Sequence, residues 1–201
     1  MQTSTFYLGL VVALLVGGIM GYSLGATGGK GVRAGQHMMA NGRMMKNDMM
    51  GAGSDQHFIV QMIPHHEGAI DMAKLALERS KRPEILSLAA RIIQAQEQEI
   101  GEMKRWYQDW YGSAPPPGSM GMHMAGMTGD TDALKKISET DFDREFMEQM
   151  IPHHEMAVMM AQMIKSSERP EMRQLADNVI TSQSREIEMM RGWLSAWYPA
   201  R

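Results

Sequence analysis

The sequence predicts an all-α protein: an antiparallel four-helix bundle made from two repeated helical hairpins, preceded by an N-terminal membrane-spanning or signal helix. Three observations carry this expectation. First, "DQHFIVQMIPHHEGAIDMA" aligns with "DREFMEQMIPHHEMAVMMA" at an offset of 88 residues, and "RPEILSLAARIIQAQEQEIGEMKRWYQDWY" aligns with "RPEMRQLADNVITSQSREIEMMRGWLSAWY" at an offset of 87. Second, the residues kept in both copies recur at helical spacing. Gln96, Glu99, Met103, Trp106 and Trp110 match Gln183, Glu186, Met190, Trp193 and Trp197, in steps of three and four that mark one inner face. Third, Pro83 and Pro170 follow polar stretches where a helix would open, and a first-turn proline gives up only an N–H that has no helical acceptor.

Taken along the chain, residues 1–26 hold an uncharged run, "FYLGLVVALLVGGIMGYSLGA" at 6–26, about as long as a bilayer span. It reads as a signal peptide cleaved near Gly25 or as an uncleaved anchor. Its length and the glycine ridge Gly17, Gly21 and Gly25 favour the anchor. Lys30 and Arg33 follow the run instead of preceding it, so charge alone does not set its orientation. Residues 27–54 are a Gly- and Met-rich flexible segment. Residues 55–111 form the first hairpin, with Asp55 as the expected N-cap, a helix to about residue 80 and Gly112 as the stop. Residues 112–138 are a Pro/Gly/Met-rich linker with a short helical turn at 131–137. Residues 139–201 form the second hairpin, with Asp143 as its expected cap. Pairing the hairpins into one bundle is expected because a single hairpin buries little core.

Composition narrows the chemistry. A net charge of −3 is the wrong sign for phosphate binding, which excludes nucleic acid as a partner class. The chain has no cysteine but 24 methionines, so its sulfur is entirely thioether. The heptapeptide "QMIPHHE" occurs at 61–67 and at 149–155. In each copy a proline inside the helix removes one backbone donor and predicts a kink or break just before two histidines.

These residues point to metal. Met62, His65 and Met72, with Met150, His153 and Met160, share the inner faces of the first helices, and His66 and His154 lie one step round. Glu99 and Glu186 are placed to take an imidazole N–H, as carboxylates beside ligating histidines do. Each element alone has a plain structural reading, as a hydrogen-bonded core histidine or a core-filling methionine. Their joint occurrence, twice, favours a site. Imidazole with thioether selects copper, as Cu(I) or Cu(II), and admits silver. Zinc would draw on cysteine, histidine and carboxylate, and calcium or magnesium on oxygen. Further donors lie in the Met-rich segments: His37, Met38, Met39, Met44, Met45, Met49 and Met50, then Met120, Met122, His123, Met124 and Met127. Thioethers set among glycines gain nothing from packing but suit loose capture of a soft ion. Met156, Met159 and Met163 either extend the second site or fill the core. Because thioethers bind without losing a proton and do not oxidise to disulfides, the body is expected outside the cytoplasm.

The pattern "F…QMIPHHE…A…MA" followed by "A…I…Q…EI…M…W" resembles the ferritin-like domain-of-unknown-function family numbered 305. Its tandem form with Met-rich segments is similar to copper-resistance members of that family. The resemblance covers residues 55–111 and 139–198. It implies a helical bundle and extracytoplasmic copper binding linked to resistance, at Met62, His65, His66 and Met103 and at Met150, His153, His154 and Met190. His57 has Glu145 as its counterpart, so a role for His57 is not shared between copies.

The expected function is therefore non-enzymatic: sequestering or passing on copper, with a transfer or efflux partner and membrane attachment through the N-terminal helix. The alternative is a ferritin-like di-metal redox enzyme, a cuprous oxidase or peroxide consumer. A di-iron centre would want glutamate three residues before each histidine, where Met62 and Met150 stand. A third reading is a structural bundle whose methionines absorb oxidant.

Overall fold

Pro83 and Pro170 open two long helices, each preceded by an arginine in extended conformation (φ −84°, ψ 121° at Arg82; φ −82°, ψ 120° at Arg169). The ring fixes a helical φ and costs no hydrogen bond at that place. The computed structural model describes residues 51–117 and 129–199. Over these residues the protein is all-helical: α1 (Gly51–Arg79), α2 (Pro83–Tyr111), α3 (Thr131–Lys136), α4 (Phe142–Met163) and α5 (Pro170–Trp197). The N-terminal run at 6–26, the Met-rich stretch to residue 50 and the tract donors Met120 to Met127 lie outside the described residues. No helix among the described residues is long and apolar enough to cross a membrane.

Helices α1 and α2 pair, as do α4 and α5, and the two hairpins meet through α1 and α4. The short α3 packs on both of those helices. Gly112 closes α2 in the left-handed region (φ 71°) and donates its N–H to the Gln108 carbonyl, a position that suits a residue without Cβ. Gly129 (φ 69°) precedes α3, and a Cβ there would overlap the Met72 thioether.

The helix starts differ from the expectation of aspartate caps. Helix α1 reaches back to Gly51, so Asp55 lies inside it, and Asp143 sits in the first turn of α4. Both aspartates serve the tertiary structure instead. Asp55, wholly buried, accepts hydrogen bonds from Ser167 Oγ (2.8 Å) and Arg169 Nη1 (2.9 Å). Asp143 pairs with Arg82 Nε at 3.2 Å. Arg169 also lies over the Trp110 ring (4.3 Å) and Arg82 over Trp197 (4.4 Å). Each hairpin's turn arginine thus holds an aspartate and a tryptophan of the other hairpin. This use explains why the tryptophans are only half-buried, each stacked on a neighbour (Trp106–Trp110, 5.8 Å; Trp193–Trp197, 5.3 Å), instead of filling the core.

Neither internal proline breaks its helix. Helical structure runs through Pro64 and Pro152 without interruption. Helix α4 ends at Met163, a turn earlier than the alignment suggests, and residues 164–169 form the connection.

The core divides into two apolar clusters. One joins Phe58, Ile59 and Met62 of α1 to Met103 and Tyr107 of α2 and to Leu175 and Val179 of α5. The other joins Met72, Ala73 and Ala76 of α1 to Leu88 and Ile92 of α2 and to Phe146, Met147 and Met150 of α4. The start of α1 therefore shares a cluster with the end of α4 (Ala157 and Ala161), which is the signature of antiparallel crossing. Between these clusters, at the middle of α1 and α4, sit the histidines.

Candidate metal centre

His65 and His153 face each other across the α1–α4 contact, with ring centroids 3.7 Å apart and planes at 39°. Both are 1% exposed, and their neighbours His66 and His154 are fully buried. The 3.6-residue period explains the arrangement: adjacent positions lie about 100° apart round the helix. One histidine of each pair thus points at the facing first helix, and the other turns toward its own hairpin partner. His66 Nε2 meets Glu99 Oε2 of α2 at 2.7 Å, and His154 Nε2 meets Glu186 Oε2 of α5 at 2.8 Å. Within each pair the rings stand 6.3 Å apart.

The polar layer is under-satisfied. Nδ1 of His66 and of His154, and Oε1 of Gln96 and of Gln183, are buried without a hydrogen-bond partner. A buried polar atom left in that state costs about 1–3 kcal/mol, so such a cluster inside an otherwise apolar body points to a ligand-holding role. Burial, followed by the proximity of His153, His66 and His154, pushes the His65 imidazole well below its ordinary value of 6.5. It is therefore neutral, with a lone pair to give, which is the form that binds metal. Glu99 and Glu186 orient the other pair: with Nε2 held by a carboxylate, Nδ1 is the nitrogen left available to a ligand.

The donor chemistry can be tested against these residues. Among the described residues, no group of three or more His, Asp or Glu side chains is arranged to hold a metal ion by itself. Met62 and Met103 lie in the apolar cluster on one side of the histidine layer, Met150 and Met190 in the cluster on the other, all four wholly buried. Each side of the layer has its own pair of soft donors.

Met72, two turns beyond His65, packs in the second cluster beneath Gly129. Met160, its counterpart, is half-buried against the first cluster. Gln96 and Gln183, kept at matching positions on the inner stripes of α2 and α5, are also buried.

Residues 55–194 match the family described as "Domain of unknown function (DUF305)". The chain belongs to this family. Solved structures extend the likeness. CopM in the Cu(II)-bound form is 53% identical, with a TM-score of 0.67 over 72% of this chain and 97% of that one. CopM in the Cu(I)-bound form is 50% identical, with a TM-score of 0.64 and the same coverage. CopM has also been solved in an Ag-bound form. A DUF305 fragment from Deinococcus radiodurans is 30% identical, with a TM-score of 0.65 over 73% of this chain and 98% of the fragment. A shorter likeness, 47% identity over 49 residues, is to the uncharacterized protein L153 of Acanthamoeba polyphaga mimivirus and spans 32% of that protein. The DUF305 match takes in both histidine pairs and both glutamates.

Proposed function

We propose that this DUF305 protein binds copper outside the cytoplasm and sequesters it or hands it on, contributing to copper resistance. The two hairpins act as one antiparallel four-helix bundle around a shared centre. The observation that carries this reading is the meeting of His65 and His153 at 3.7 Å inside the body, beside His66 and His154, whose Nδ1 atoms are buried without a hydrogen-bond partner. His65, His66, His153 and His154 supply imidazole for either oxidation state of copper, and Met62, Met103, Met150 and Met190 supply thioether for Cu(I). The copper- and silver-bound structures of CopM, half identical to this chain, support the same metals here. The Met-rich segments would collect soft ions, the 6–26 run would fix the protein at a membrane, and an efflux or transfer partner would receive the metal.

The test is metal analysis of a variant with His65, His66, His153 and His154 replaced by alanine, with circular dichroism as the folding control. Fewer bound copper ions per folded chain is the expected result. Unchanged copper content in a folded variant would remove the interior site. Steady-state oxygen uptake with Cu(I) tests the redox-enzyme alternative; turnover would overturn the binding-only reading.

A further inference from the structure

The solvent face of α4 carries thioethers that the core does not use. Met159 and Met163 are 55% and 65% exposed, whereas Met62, Met72, Met103, Met147, Met150, Met172 and Met190 are wholly buried. Met156 and Met160 are half-buried between these extremes. The spacing links them: Met163 is three and four residues from Met160 and Met159, which are four and three from Met156, itself three from His153. Residues so spaced have Cβ atoms about 5–6 Å apart on one helix face, close enough for two flexible thioethers to close on one ion. Exposure falls along the same path, from 65% at Met163 to 1% at His153.

The other copy provides the control. Aligned with Met156, Met159 and Met163 are Gly68, Asp71 and Leu75, and Asp71 lies 4.0 Å from Lys74 in an ordinary solvated pair. The buried pair Met62 and Met103 has its counterpart in Met150 and Met190; the exposed thioethers of these hairpins belong to the second alone. Uncharged thioethers bind soft monovalent ions without releasing a proton and have little affinity for harder ions.

We propose that Met156, Met159 and Met163 form a surface site for Cu(I) or Ag(I), the outer end of a thioether ladder that runs along α4 to His153. The proposal rests on the reading of this protein as a copper binder and adds the point of entry. The experiment is a titration of the full chain with Ag(I), followed through the methyl signals of ¹³C-methyl methionine and assigned by single methionine-to-leucine variants. The titration is repeated in the four-histidine variant. The Met159 and Met163 methyls are expected to shift together in both proteins, and Met159→Leu with Met163→Leu to lose about one equivalent of silver while Cu(II) uptake is unchanged. If these methyls stay put while Met62 and Met150 respond, the surface site is wrong and the interior centre stands. If no methionine methyl responds, both fall.

Discussion

The His65 ring lies against the His153 ring at 3.7 Å, joining two helices that belong to different hairpins. The contact brings the two histidine pairs together at one place in the body. Replacing either His65 or His153 with asparagine should weaken the same copper-binding event, and the double variant should be little worse than each single one, since residues sharing one ligand are not additive. Isothermal titration of the three variants measures this. Two separable losses that sum would place the metals in separate hairpins.

Glu99 and Glu186 act through the imidazoles they hold. Glu99→Gln keeps the shape but exchanges the charged acceptor at 2.7 Å from His66 Nε2 for a neutral one. Loss of a carboxylate behind a ligating histidine typically costs about 10–100-fold in metal affinity. The same drop is expected for Glu186→Gln, with thermal unfolding of the metal-free protein nearly unchanged. A competition assay against a copper chelator reads the affinity; wild-type affinity in both variants would mean that the carboxylates only fill hydrogen bonds.

The reciprocal arginine contacts predict unequal costs. Arg169→Ala strips the cation from Asp55, whose side chain is 1% exposed, leaving only the Ser167 hydroxyl, and should destabilise by about 2–4 kcal/mol. Arg82→Ala frees Asp143 at 13% exposure from an arginine that is itself 43% exposed, and should cost only about 1 kcal/mol. Urea unfolding of the two variants compares them directly, and equal losses would contradict the burial argument.

Acid should loosen the metal-free fold. Burial holds the folded His65 below its ordinary value of 6.5, so the unfolded chain takes up the proton first. The stability this histidine contributes is full above about 6.5 and drains away as pH falls toward its lowered folded value. Melting temperatures of the metal-free protein should decline between about pH 7.5 and about pH 5, and less steeply in His65→Gln. An identical slope in that variant would assign the acid sensitivity to other groups.

The sequence made the helices legible because duplication showed which positions are kept, and kept positions at steps of three and four are inner faces. It also brought His66 within sight of Glu99, since both fall on the inward side of one hairpin. What it hid were relations between hairpins. The 3.7 Å meeting of His65 and His153 depends on how α1 crosses α4, which no local spacing encodes. For the same reason Asp55 and Asp143 read as helix caps: an aspartate ahead of an apolar run fits a cap, and only the fold reveals Arg169 and Arg82 waiting across the interface. Pro64 was legible as a missing donor, but not the packing that carries α1 through it.

Anomalous diffraction at the copper edge, from crystals of this protein loaded with Cu(I), tests the central claim most directly. The account predicts a copper peak within bonding distance of His65 and His153 ring nitrogens, with Met62 or Met150 sulfur completing the shell. Peaks confined to surface methionines, with the two rings still in contact and no metal between them, would contradict it.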